Sequence, residues 1–180
     1  MVQIHDKSFI PYLSEAQIKE KIKVMAAGIS KDYADKKPLF IAILNGAFMF
    51  ASDLFKELTI DAEISFIKLA SYSGTKSTGN VLTAIGLDTD INGRHVIIIE
   101  DIVDTGKTLS SFLPQLEHQS PASIKLAALL NKPEATTHPV KIDYLCFSIP
   151  NKFVVGYGLD YDGLGRNLKE IYQLDDHVLV

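Results

Sequence analysis

Glu100, Asp101 and Asp104 put three carboxylates within five positions, and Thr105-Gly106-Lys107-Thr108 follows at once. Upstream lies Val96-Ile97-Ile98-Ile99, a continuous β-branched run of the kind found in a strand covered on both faces of a parallel sheet. In open α/β sheets ligands bind at the carboxyl ends of the strands, so acids placed there face a ligand and not a core. Two hydroxyls, a glycine that permits close backbone approach and the free N–H groups of a helix start together make a socket for a phosphate. Gly106-Lys107-Thr108 matches the end of a nucleoside-triphosphate loop, but the first glycine of that motif would fall at position 101, an aspartate. Three carboxylates beside the socket would also repel a triphosphate lacking metal. A sugar phosphate fits better: the carboxylates can hold two ribose hydroxyls while the turn behind them holds a 5′-phosphate, with magnesium bridging the remaining charge.

The block from Glu100 to Thr108 resembles the phosphoribosyl-pyrophosphate loop of the purine phosphoribosyltransferases, most of all their hypoxanthine(-guanine) members. The resemblance extends to a second block, Phe153-Val154-Val155-Gly156-Tyr157-Gly158-Leu159-Asp160-Tyr161, and to shorter matches between them. It implies that Leu44, Asn45 and Gly46 bind pyrophosphate through backbone amides, in some members with a cis peptide. It also implies that Glu100 and Asp101 hold the ribose hydroxyls and the magnesium environment, and that Asp104, Thr105, Gly106, Lys107 and Thr108 cradle the 5′-phosphate. On the same resemblance Asp104 would double as the acid/base partner of purine N7, Lys132 would donate to the 6-oxo group, Phe153 would stack on the purine and Val154 would read the 6-oxo edge with its backbone. The resemblance likewise implies that Asp160 serves a magnesium on the pyrophosphate side near the base, that Arg166 stands near the pyrophosphate, and that Ser71-Tyr72 begins a lid. Three departures stand out: Asn45 replaces the lysine of many relatives, 134–138 lacks an arginine that some place there, and Gly163-Leu164-Gly165 is unusually glycine-rich.

What the resemblance implies for function is a Mg2+-dependent purine salvage enzyme. It would transfer the 5-phosphoribosyl group from phosphoribosyl pyrophosphate to N9 of hypoxanthine, and of guanine, giving a purine nucleoside monophosphate and pyrophosphate. Lysine only donates, so Lys132 favours an oxo acceptor and leaves adenine's amino group badly paired. Orotate and adenine enzymes are the alternatives within the class. Outside it stands a regulator of the same fold that senses phosphoribosyl pyrophosphate and binds nucleic acid. Such a regulator needs a basic face, against which the net charge of −4 and the Phe153 block argue. The resemblance further implies a homodimer or homotetramer.

These residues need elements to hold them. With 180 residues and 47% hydrophobic content the chain is the size of one domain, 1–180. Ser14-Glu15-Ala16-Gln17 is a capping box, and Ile18, Ile22, Met25 and Ile29 continue as the apolar face of a first helix. Apolar runs predict strands over 39–44, 63–70, 81–87, 124–130 and 143–149, and 177–180 can add a closing strand. Ala47, Phe48, Ala51, Leu54, Phe55 and Leu58 read as the core stripe of a second helix. A third follows Thr108, with Pro114 expected to kink or shorten it. The fold class is α/β. The resemblance makes it the type I phosphoribosyltransferase fold, a mainly parallel twisted sheet flanked by helices, with a core of about 36–148 and a small hood from about 1–13 and 149–180. The single cysteine, Cys146, sits in an apolar run and reads as a packed thiol, which excludes an internal disulfide. Mixed charge signs and the absence of an 18-residue apolar stretch predict a cytoplasmic protein with no membrane or nucleic-acid partner.

Overall fold

The structure, a computed structural model, describes residues 1–72 and 81–175. The chain opens with strands β1 (Val2–Ile4) and β2 (Lys7–Leu13), then helix α1 (Glu15–Asp32). Ser14 caps α1 as its sequence requires: its hydroxyl accepts from the Gln17 backbone and the Gln17 side chain accepts from the Ser14 N–H. Strand β3 (Leu39–Leu44), helix α2 (Phe48–Glu57) and strands β4 (Glu63–Tyr72) and β5 (Val81–Ile85) follow. Then come β6 (His95–Val103), helix α3 (Lys107–Glu117), β7 (Ser123–Asn131), a 3-10 turn (Pro133–Ala135) and β8 (Tyr144–Ser148). Strands β9 (Val154–Val155) and β10 (Ile171–Leu174) close the described chain.

Among the described residues the main sheet has six strands in the order β5-β4-β3-β6-β7-β8, parallel throughout except for β5, which pairs antiparallel with β4 at the edge. Strand alternation divides its residues between two cores. Phe40, Ala42, Ile97, Ile99, Ala127 and Leu129 face α1 and α2, while Leu39, Ile41, Ile43, Val96 and Ile98 face Leu109, Phe112 and Leu116 of α3. Ile97, Ile98 and Ile99 are each fully buried, and each such side chain stabilises the fold by about 1.5–3 kcal/mol relative to an exposed one. This double cover makes β6 the rigid centre on which the acidic block rides.

Two chain-end segments supply a second, antiparallel sheet in the order β1-β2-β10-β9. Val154, Tyr157, Leu159 and Ile171 join the main core from it, while Ile4, Phe9 and Val155 form a small core on its other side. The small sheet is therefore docked on the main one through shared apolar contacts.

Four expectations need amendment or fall elsewhere. β6 does not stop before the acids: its ladder with β7 runs on to Val103↔Asn131, so Glu100 and Asp101 lie within the strand and Asp104 just beyond it. Phe48 is not in the core stripe of α2; it is 42% exposed at the first helical position, beside the face on which Phe50, Ala51 and Leu54, with the N-cap Ala47, are buried against the core. α3 continues through Pro114 and ends at Glu117. Positions 177–180, and the lid segment beyond Tyr72 as far as 80, lie outside the described residues; the final described strand is β10.

Candidate active site

The turn after β6 is braced from behind. Gly106 has a φ of 76° and is the N-cap residue of α3, with no side-chain capping bond, and the Thr105 hydroxyl accepts from the Lys107 N–H at 3.3 Å. A Cβ on Gly106 would collide with the His138 carbonyl, and the Thr105 carbonyl accepts from the Thr137 and His138 N–H groups at 3.1 and 2.9 Å. Glycine is needed both for the left-handed backbone and for this approach. In front, a cavity of about 150 Å³ is lined by Glu100, Asp104, Thr105, Gly106, Lys107 and Thr108. The helix start aims backbone N–H groups into the same region, the geometry that binds a phosphate. Thr137 and His138 escaped the sequence reading because they act through the backbone, which has no residue signature.

Glu100 and Asp101 form one acidic unit. The Asp101 N–H donates to Glu100 Oε1 at 3.1 Å, and Asp101 Oδ1 accepts from the Ile102 N–H at 2.8 Å. Removal from water, reinforced by the neighbouring Asp101 carboxylate, pushes the Glu100 carboxyl well above the usual carboxylate range. The Leu44–Asn45 peptide is cis, and Gly46 presses so closely on the Asp101 carboxylate that a Cβ there would overlap it. The turn after β3 and the acids of β6 therefore meet, as neighbouring parallel strand ends should. The Asn45 side chain is exposed.

On the other flank of β6, Lys132 follows β7. It is 6% exposed, and its Nζ bonds Asp104 Oδ2 at 3.2 Å while its N–H donates to the Val103 carbonyl at 2.9 Å. The Asp104 side chain is 45% exposed, so the carboxylate remains open to the cavity. The two residues expected to handle the base, one as proton carrier and one as reader, touch each other.

The second block divides. Phe153 is 44% exposed and packs on Phe9 and Tyr161, with ring centroids 6.2 and 5.7 Å away. Val154 is buried and pairs with Gln173 in the small sheet. Further on, Asp160 accepts from Arg166 at 2.8 Å and from the Gly163 N–H at 2.8 Å, and Arg166 also donates to the Gly158 carbonyl at 2.7 Å. Gly158 leaves no room for a Cβ against the Gly46 carbonyl. Gly46 is thus flanked by Asp101 on one side and by the Gly158 turn that carries Arg166 on the other. Ser71 and Tyr72 end β4 opposite Leu82 and Val81.

Among the described residues no group of three or more His, Cys, Asp or Glu side chains is placed to hold a metal ion. Glu100, Asp101 and Asp160 are accordingly not gathered into one cage: the first two are adjacent, whereas Asp160 is engaged by Arg166. An adjacent pair suits magnesium, which keeps several waters and takes one or two carboxylates together with substrate phosphates.

A phosphate socket at the end of a parallel strand, flanked by a lysine–carboxylate pair and a second basic turn, is the arrangement expected of an enzyme that moves a phosphorylated sugar. The family model described as the phosphoribosyl transferase domain matches residues 12–162, and the chain belongs to the phosphoribosyltransferase family. A curated relative from Streptococcus pneumoniae, named hypoxanthine-guanine phosphoribosyltransferase, is 42% identical over 167 residues, covering 92% of this chain and 93% of its own. Among solved structures, a hypoxanthine phosphoribosyltransferase from Staphylococcus aureus aligns with a TM-score of 0.87 at 36% identity, over 95% of this chain and 94% of that one. Hypoxanthine phosphoribosyltransferase from Trypanosoma cruzi, in complex with the product IMP, aligns with a TM-score of 0.87 at 34% identity, over 99% of this chain and all of that one. Among the described residues no helix is long and apolar enough to cross a membrane.

Proposed function

We propose that this chain is a purine salvage enzyme that transfers the 5-phosphoribosyl group of phosphoribosyl pyrophosphate to N9 of hypoxanthine, and of guanine, releasing pyrophosphate and forming IMP or GMP. The observation that carries the reading is the Lys132–Asp104 pair beside the phosphate socket, since it sets a donor for an oxo group next to a carboxylate that can take a proton. Thr105 through Thr108 and the start of α3 hold the 5′-phosphate, and Glu100 with Asp101 grip the ribose hydroxyls. The bond from the anomeric carbon to pyrophosphate breaks with its electron pair leaving on oxygen, and the N9 lone pair forms the new bond. Asp104 accepts the proton shed at N7, so no covalent intermediate with the protein is needed. Lys132 donates to O6, and Phe153 offers the exposed ring on which the purine stacks.

The backbone of Leu44, Asn45 and Gly46, together with Arg166, receives the departing pyrophosphate, and interactions that strengthen as its charge develops lower the barrier. Magnesium, held by Glu100 and Asp101 with the substrate's own oxygens, would neutralise part of that charge, and Asp160 would serve the pyrophosphate side once released by Arg166. A cation-like ribosyl centre must be kept from water, which is the task of a lid beginning at Ser71-Tyr72. The small sheet acts as a hood over the base, with the main unit at about 36–148. Cytoplasmic action and assembly into a homodimer or homotetramer belong to the same proposal. For assembly, the support is that Val24, Phe48 and Phe66 stand 42% to 64% exposed.

An ultraviolet assay with phosphoribosyl pyrophosphate, magnesium and a panel of hypoxanthine, guanine, xanthine, adenine and orotate tests the reading. Turnover of 6-oxopurines with adenine and orotate rejected is the expected result. Use of adenine or orotate in preference would overturn it.

A further inference from the structure

Asp53 and Tyr157, 104 residues apart, are joined by a 2.6 Å hydrogen bond from the Tyr157 hydroxyl to Asp53 Oδ2. Tyr157 is 1% exposed and has a φ of 50°, between Gly156 at 96° and Gly158 at 99°. A bulky L-residue in the left-handed region needs surroundings that over-determine it, and they are present. The Tyr157 N–H donates to the Leu168 carbonyl at 2.8 Å and the Gly158 N–H to the Arg166 carbonyl at 3.0 Å. Burial, followed by the bond to Asp53, pushes the Tyr157 phenol well up, so it is the donor at every working pH. The other Asp53 oxygen takes Lys56 at 2.5 Å, which fixes the acceptor in turn.

This bond fastens together two parts of the pyrophosphate end. Asp53 lies on α2, which starts two residues after Gly46 and is continuous with that turn. Tyr157 lies beside Gly158, which abuts the Gly46 carbonyl and whose own carbonyl holds Arg166 at 2.7 Å. We infer that Tyr157 is a positioning residue: its hydroxyl, anchored on Asp53, sets the spacing between the Leu44–Gly46 turn and the Asp160–Arg166 pair, and so tunes the grip on the pyrophosphate of the sugar donor. The inference rests on the reading of the site given under Proposed function, in which neither residue touches a substrate.

Steady-state kinetics on Tyr157→Phe, Asp53→Ala, their double variant and Asp53→Asn test it. Loosening a binding turn without removing a contact raises KM for phosphoribosyl pyrophosphate by about five- to ten-fold in Tyr157→Phe and in Asp53→Ala, and leaves KM for hypoxanthine within about two-fold. The double variant is no worse than either single one, because one bond is lost in all three. Asp53→Asn, whose amide oxygen still accepts the hydroxyl, recovers most of the native value. Should Tyr157→Phe fail to fold, the partly exposed Asp53 variants carry the same comparison. An unchanged donor KM, equal rises in both KM values, or additive effects in the double variant would overturn the inference alone. A native chain that turns over no purine would overturn the underlying reading and this inference with it.

Discussion

Among the described residues Lys132 is held by one side-chain partner, Asp104, and that partner is half open to the cavity. A base presenting an oxo group can therefore compete for an ammonium that is already desolvated, whereas adenine's amino group offers it no acceptor at that position. For Lys132→Ala, kcat/KM for hypoxanthine should fall by about 10- to 100-fold, the worth of one charge-assisted hydrogen bond. The discrimination against adenine should shrink by a similar factor. Parallel assays with the two bases check this, and unchanged discrimination would remove Lys132 from the base-reading role. At this scale most of the lining of the candidate site was legible, because the acids of 100–104, the small residues of 105–108 and the strand-end lysine are residue types suited to chemistry, and the structure brings them together. The Asp53–Tyr157 bond was not, since its partners lie 104 residues apart and each has an ordinary local reading, one as a helix-surface acid and the other as a core aromatic.

α1 and β3 were read closely because each carries two agreeing signals: a capping box with a helical apolar stripe for α1, and an apolar run bounded by Pro38 and Asn45-Gly46 for β3. In α2 the stripe of Ala47, Ala51 and Leu54 was legible, and Phe48 falls beside it, since an apolar residue at the edge of a stripe fits the period whether or not it is covered. β6 outran its expected end because acids at a strand terminus can still pair through the backbone, as Glu100↔Ala128 does. In α3, Pro114 is exposed and inside the helix, where it lacks the N–H that would bond the Ser110 carbonyl. Pro114→Ala should stabilise the fold by about 1–3 kcal/mol, because alanine restores the hydrogen bond and removes the ring clash. A higher urea midpoint with an unchanged slope is the expected result.

Across the whole molecule, the double-covered sheet gives a rigid floor and the chain ends give a second sheet docked on it. Cys146 reports on that integrity. It is 7% exposed, and burial pushes its thiol up to about 12, far from the thiolate form that reacts. Since the folded value lies above the ordinary 9.0, this thiol's contribution favours the native state below that pH and is lost as pH rises through the folded value. At pH 8, labelling with a thiol reagent should be slow in the native protein and rapid once urea unfolds it, with the labelled fraction tracking loss of secondary structure. Fast labelling without unfolding would mean that the β8 edge opens independently.

In the proposed reaction the carboxylate of Asp104, just past β6, carries the proton of the transferred base. Turnover of hypoxanthine with phosphoribosyl pyrophosphate and magnesium by Asp104→Asn, compared with the native chain, tests it most directly. A fall of about 10²- to 10⁴-fold in kcat, with folding intact, is the predicted result. Near-native turnover by the same folded variant would remove Asp104 from the proton-carrying role.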